Sequence, residues 1–167
     1  VGKQGVVDEV FITENTEASR LIRIRIRELR KPQPGDKLAS RYSQKGTIGA
    51  ILPGKVFPWI VSKNRALNGV RPHAIFNPHS VPSRMTIGKL YEILTGKLAA
   101  LKGERVSATA FRRFNIENIQ EELANLGFTR SGKERMVNGI TGREMDVDIY
   151  VGPIYYQLLR HLVADKM

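Results

Sequence analysis

Ile22, Ile24 and Ile26 alternate with Arg23, Arg25 and Arg27. A helix would scatter these six residues around its circumference. An extended strand sorts them into one apolar face and one basic face. Pro32, Pro34 and Gly35 then stop the strand, because proline gives a sheet ladder no N–H and glycine weakens it. A second stretch, residues 5–13, carries Val6, Val7, Val10, Phe11 and Ile12 and predicts a partner strand, with the polar residues 14–19 as the connection. The start of the chain is therefore committed to a β-hairpin or a barrel edge.

Helical periodicity appears later. Ile87, Leu90, Tyr91, Leu94, Leu98 and Leu101 predict a helix with Ser83 or Thr86 as its cap and Gly103 as its stop. Gly88 and Gly96 weaken that helix, and close approach of other backbone would account for them. Ile116, Ile119, Leu123 and Leu126 predict a second helix over 115–126, closed by Gly127. Residues 47–52 have β character, Asn68-Gly69 signals a turn, and residues 71–84 read as ordered but non-repetitive. Asn138-Gly139 predicts a tight hairpin, residues 145–151 a buried strand, and residues 154–166 a final helix. The order is β, loop, α, α, β, α: an α+β chain, mainly β, with no repeats and no interdomain linker. Its opening, Val1-Gly2-Lys3-Gln4-Gly5, is neither a signal peptide nor an initiator methionine and reads as a piece of something longer.

Charge narrows the partner. The 167 residues carry a formal net charge of +11, which favours a polyanion, nucleic acid first. There is no cysteine, so disulfides and thiolate–zinc sites are excluded, and a reducing intracellular setting fits. No apolar run reaches membrane-spanning length. The hydrophobic share, 41%, is ordinary for a globular core, one that folds alone or with neighbours.

Three segments could meet phosphates. Residues 35–49 combine Lys37, Arg41 and Lys45 with flexible glycines: long cations beside backbone that can approach a ligand closely. A solvated turn is the plainer alternative. Arg23, Arg25 and Arg27 could line a groove, or form the wet face of a sheet or pair with acids of a neighbour. Arg84, held among prolines near a helix start, could make a forked contact with phosphate oxygens, or pair with a carboxylate. The three histidines, His73, His79 and His161, lack metal-ligand spacing. Asp146 and Asp148 could share a magnesium ion, but read more plainly as salt-bridge or barrel-rim residues. No nucleophile–base set and no Gly-Lys-Ser/Thr phosphate loop is present.

Four ordered segments carry a resemblance over nearly the whole chain. They are Gly-Asp-Lys-Leu-Ala-Ser-Arg-Tyr-Ser-Gln-Lys-Gly-Thr-Ile-Gly (35–49), Asn-Pro-His-Ser-Val-Pro-Ser-Arg-Met-Thr-Ile-Gly (77–88), Asn-Gly-Ile-Thr-Gly (138–142), and Gly-Pro-Ile-Tyr-Tyr-Gln-Leu-Leu-Arg-His-Leu-Val-Ala-Asp-Lys (152–166). Together they resemble the second-largest subunit of multi-subunit DNA-directed RNA polymerases, the counterpart of the bacterial β subunit. The likeness is to the archaeal, eukaryotic or large-DNA-virus type.

The resemblance implies that residues 1–167 are the hybrid-binding domain, a fragment of a larger subunit. It implies a double-psi β-barrel with helical insertions at residues 84–127, facing a second barrel of the largest subunit whose aspartates hold the catalytic Mg2+. Lys37 and Lys45 would reach the RNA 3′ end and the incoming nucleotide's phosphates, and Arg84 the triphosphate. Arg41, His161 and Lys166 would face nucleic acid. The partners implied are the other polymerase subunits, DNA template, RNA transcript and nucleoside triphosphates, with no membrane. The location implied is the nucleus, the archaeal cytoplasm, or a viral replication compartment or virion. Two departures stand out. Tyr42-Ser43 replaces the family's His-Gly, which implies a stiffer loop, and residues 52–71 diverge from the usual pattern. A basic barrel that binds RNA without taking part in chemistry is the competing reading; a structural protein of a ribonucleoprotein is a third.

Overall fold

The computed structural model describes residues 4–14, 16 and 20–167. The expected strand connection at 14–19 and the opening residues Val1, Gly2 and Lys3 lie largely outside them. The chain divides into two compact units, Val1–Gln33 and Pro34–Met167.

In the first unit β1 (Val6–Thr13) pairs antiparallel with β2 (Leu21–Arg27), as the alternation predicts. Val10 stands opposite Ile24 and Ile12 opposite Ile22, while Glu9 faces Arg25. A bulge between Val7 and Glu9 lets Val7, not Asp8, oppose Ile26, so Ile22, Ile24 and Ile26 each meet an apolar partner, while Phe11 opposes Arg23 and Val6 opposes Arg27. Both faces of this ribbon, apolar and basic, are largely exposed. Arg25 reaches Glu9 at 2.6 Å and Arg27 reaches Asp8 at 2.7 Å, exposed pairs that each contribute about 0–1 kcal/mol.

The second unit contains β3 (Lys37–Ser40), β4 (Lys45–Thr47), β5 (Trp59–Val61), α1 (Ser80–Arg84), α2 (Ile87–Lys102), α3 (Ile116–Asn125), β6 (Lys133–Val137), β7 (Glu144–Tyr150), β8 (Tyr156–Leu158) and a 3-10 turn (Val163–Asp165). The strands form two sheets in the orders β4-β3-β8 and β5-β6-β7. Every pairing is antiparallel. The protein is mixed, with more strand than helix. Among the described residues no sheet closes on itself: sheets of two and three strands are too few to curl into a barrel.

Both long helices sit where their periodicity puts them. Gly103 ends α2 with φ of 70°. The Asn115 carboxamide caps α3, accepting from the N–H groups of Glu117 and Asn118 at 3.0 and 3.3 Å. Leu94 and Leu98 of α2 meet Leu123 of α3 and Phe128 in the core, with Ile116, Ile119, Leu101 and Tyr150 around it. The Tyr150 hydroxyl donates to the Leu90 carbonyl at 2.7 Å, and burial pushes its pKa up to about 12. A Cβ at Gly96 would lie 2.9 Å from the Pro153 carbonyl oxygen, the close backbone approach the sequence anticipates. At Gly88 the neighbour is instead a side chain, Tyr42, whose ring would lie 2.7 Å from the added atom.

Four expectations are corrected. Residues 154–166 are not a helix: β8 pairs with β3, Leu38 opposite Leu158 and Ser40 opposite Tyr156, and only a 3-10 turn follows. The exposed edge of β3 outweighs the local helical pattern. The β character expected over 47–52 ends at Thr47; past it, the Ile48 N–H donates to Asp36 and the Ile48 carbonyl accepts from Gly35. Asn138-Gly139 does open the β6–β7 hairpin, but not as a two-residue turn. The loop spans 138–143, its positive φ falls at Gly142 (69°), and the Asn138 side chain accepts from the Ile140 N–H at 2.8 Å. The strand expected to be buried, β7, is an edge strand with Asp146, Val147 and Asp148 exposed; β6, in the middle of its sheet, buries Glu134 and Met136 instead.

Candidate nucleic-acid interface

The lysine run folds as a hairpin. Lys37 pairs with Thr47, Leu38 with Gly46 and Ala39 with Lys45. Directly opposed residues share a face, as do alternate residues along a strand. Lys37, Ala39, Lys45 and Thr47 therefore occupy one face, and Lys37 and Lys45 are diagonal neighbours about 7–8 Å apart at Cα. Two ammonium groups so spaced can serve a single run of phosphates. Among the described residues neither lysine, nor Arg84, has a carboxylate partner.

Arg84 is brought to this hairpin by Gln44, the residue before Lys45. The buried Gln44 amide donates to the Ser80 carbonyl at 3.0 Å and to the Thr86 hydroxyl. These contacts bracket Arg84, the last residue of α1. Met85 follows in the left-handed region with φ of 51°, so the chain turns sharply between α1 and α2. Arg84 is exposed at that corner.

The C-terminal segment lies along the other side of β3. The Leu159 N–H donates to the Lys37 carbonyl at 2.8 Å, and the Val163 N–H to the buried Asp36 carboxylate at 2.9 Å. His161 sits between these two anchors and is exposed; Lys166, after the 3-10 turn, is exposed as well. Both are tied to the Lys37 end of the hairpin. Arg41, at its tip, lies over the Tyr155 ring at 4.3 Å and so is partly engaged within the chain.

Tyr42-Ser43 has a clear structural consequence. Ser43 takes φ of 57°, the left-handed region that favours glycine. Tyr42 packs inward against Gly88 rather than stacking outward. Burial, then the Glu92 carboxylate, raises its pKa. Ser43→Gly is expected to stabilise the hairpin by about 0.5–1 kcal/mol, read as slower amide exchange at 40–45.

Asp148 pairs with Arg135 at 3.5 Å, and Asp146 is exposed. Among the described residues no three His, Asp or Glu side chains are grouped to hold a metal ion. The divergent segment contributes β5, and Arg71 lies over the Trp59 ring at 5.8 Å.

Gln44, Lys89 and Tyr156 join these parts, and site reasoning from sequence passes over them. Lys89 lies beneath the hairpin, donating to Gln44 Oε1 at 2.8 Å and the Tyr156 hydroxyl at 2.9 Å. The signal was there: Lys89 and Lys97 stand four residues either side of Ile93, on the buried stripe of α2.

Comparison with known proteins places this sequence in a family. The model of RNA polymerase Rpb2, domain 6, matches residues 1–167. DNA-directed RNA polymerase II subunit 2 of Arabidopsis thaliana is 44% identical over 163 residues, covering 98% of this chain and 13% of that protein. DNA-directed RNA polymerase subunit Rpo2 of Saccharolobus solfataricus is 45% identical over 166 residues, 99% of this chain and 14% of that one. DNA-directed RNA polymerase II subunit RPB2 of Encephalitozoon cuniculi is 43% identical over 163 residues, 98% and 14%. The chain thus spans a small part, 13–14%, of the length of these relatives. With both the family model and these identities running through its whole length, the chain belongs to the RNA polymerase Rpb2, domain 6, family.

Proposed function

We propose that this chain supplies the electrostatic half of the active centre of a DNA-directed RNA polymerase. Lys37 and Lys45 bind the RNA 3′ end and the incoming nucleotide's phosphates, and Arg84 binds the triphosphate. Arg41, His161 and Lys166 follow the RNA–DNA hybrid. The observation that carries this reading is the Gln44 clamp: one buried amide ties the hairpin of Lys37 and Lys45 to the corner that presents Arg84, three cations with no carboxylate partner among the described residues. Fixed cations of this kind stabilise charge that develops on phosphate oxygens without reorganising during the reaction.

The donor set among the described residues does not fit a magnesium ion. Asp36, the buried carboxylate nearest the lysines in sequence, already accepts the Val163 N–H, and no cluster of ligands accompanies it among the described residues. Mg2+ would be held by the largest subunit, while this chain's cations would act on the phosphates. The partners are that subunit, the other polymerase subunits, template DNA, transcript and nucleoside triphosphates. Residues 1–167 act as one hybrid-binding region with a helical insertion at 84–127, and the double-psi barrel is completed in the assembled subunit. The exposed apolar rows of β1 and β2 fit such completion, since a lone two-stranded ribbon is marginal in water. The relatives named above, from two eukaryotes and an archaeon, support a nucleus or archaeal cytoplasm as the location. No described helix is long and apolar enough to cross a membrane.

The isolated chain, given Mg2+, nucleotides and a primed template, is expected to show no extension, while the assembled enzyme extends. Extension by the chain alone would overturn this division of labour. A binding module without a part in chemistry is separated by Lys45→Ala in the assembly: it would weaken hybrid retention and leave the rate per bound complex intact.

A further inference from the structure

Lys89 is 1% exposed, and among the described residues it has no carboxylate partner. Its ammonium donates to Gln44 Oε1 at 2.8 Å and to the Tyr156 hydroxyl at 2.9 Å. It also lies over the Phe76 ring at 3.9 Å, and that ring stands 5.7 Å from Tyr156. Burying an ammonium among neutral groups is costly, and an apolar side chain there would be cheaper for stability alone. Lys97, on the same stripe of α2, has its acid in Glu134; Lys89 does without one.

Its three contacts lead to the three arms of the proposed site. Gln44 precedes Lys45. Phe76 opens the segment that ends at Arg84. Tyr156 lies on β8, whose partner β3 carries Lys37. Gln44 is the hinge of the arrangement. Its carbonyl oxygen accepts from Lys89 while its NH2 donates to the Ser80 carbonyl and the Thr86 hydroxyl. An ammonium offers only donors, so it fixes which way the amide points. No carboxylate or amine could fill both roles.

We propose that Lys89 is a positioning residue. It locks the Gln44 amide in the orientation that holds Lys45 and Arg84 at one fixed separation, and it touches neither nucleotide nor RNA. This role rests on the function proposed above, through Lys45 and Arg84.

The test uses the full-length subunit in the assembled polymerase, with single-nucleotide addition measured as kcat and KM. Lys89→Met is expected to lower kcat/KM by roughly tenfold or more, since small displacements of positioned groups are costly. In a Lys45→Ala background that loss should shrink, because the part of it that acts through Lys45 is already gone and only the part through Arg84 remains. Gln44→Glu is the sharper variant. It gives Lys89 an ion pair and preserves size, so a purely stabilising role predicts near-normal turnover. The positioning role predicts a loss as large as that of Gln44→Ala, because a carboxylate cannot donate to Ser80. Gln44→Glu also carries the test if Lys89→Met fails to assemble. Normal kinetics in Gln44→Glu, or a Lys89→Met loss that multiplies in full with that of Lys45→Ala, would overturn the proposal. Unchanged kinetics in Lys45→Ala alone would instead sink the functional reading, and the positioning role with it.

Discussion

Lys97→Met is expected to cost about 3–5 kcal/mol of local stability, the largest stability effect of any single change considered. The Lys97 ammonium lies 2.5 Å from Glu134 Oε1 and 3.2 Å from the Gly132 carbonyl oxygen. Both side chains of the pair are almost fully buried, at 4% and 8% exposure. Methionine fills the space of the lysine stem and leaves a carboxylate in the interior with no counter-charge, and the uncompensated charge accounts for most of the cost. Because the pair joins α2 to β6, its loss should open both elements together. Amide exchange in the full subunit should then accelerate by roughly a hundred- to a few-thousandfold at α2 and β6. Lys97→Met combined with Glu134→Leu should restore most of the protection, because replacing both members removes the orphaned charge. Equal loss in the single and double variants would mean that packing, not charge, holds this junction.

Arg84→Ala in the assembled enzyme should lower kcat/KM for the incoming nucleotide by about 2–3 kcal/mol, roughly 30- to 150-fold. Arg84 is exposed, free of any carboxylate partner among the described residues, and held at a corner fixed by Met85 in the left-handed region and by Gln44 on either side. Such a guanidinium is set up for a forked, charge-assisted contact with phosphate oxygens. The triphosphate is common to all four nucleotides, so the loss should be the same for each. Arg84→Lys should recover only part of it, because an ammonium keeps the charge but not the planar fork. A defect confined to one base, or full recovery with lysine, would contradict a triphosphate contact.

Local signals made some of this fold legible and long-range pairing hid the rest. The alternation of Ile22–Arg27 and the heptad-like spacing of Leu90, Leu94, Leu98 and Leu101 each specify their element without help. The segment 154–166 has an equally helical pattern, yet Tyr156, Gln157 and Leu158 pair with β3, more than a hundred residues earlier; no local pattern records that edge. β7 is apolar enough to read as buried, but strand order made it an edge. At the site the cations were legible because lysine and arginine beside glycine and proline are conspicuous. Their supports were not. Gln44 is an ordinary polar residue until its two hydrogen-bonding ends are seen to face different segments, and Lys89 looks like a surface lysine until the helix buries it. Tyr42-Ser43 was visible as a departure; only the backbone showed that Ser43 bears a positive φ and that Tyr42 fills the space left open by Gly88.

The hairpin lysines are proposed to serve the chemistry on phosphates and not merely the holding of nucleic acid. Magnesium-dependent extension by the complete assembly, with Lys37→Ala and Lys45→Ala made singly and together, tests it most directly when the rate per bound complex and hybrid retention are measured at one fixed salt concentration. Each single change is expected to slow extension by roughly ten- to a hundredfold and the pair more severely, while retention falls by no more than the loss of one or two phosphate contacts. An unchanged rate per bound complex, with retention collapsing in the double variant, would contradict it.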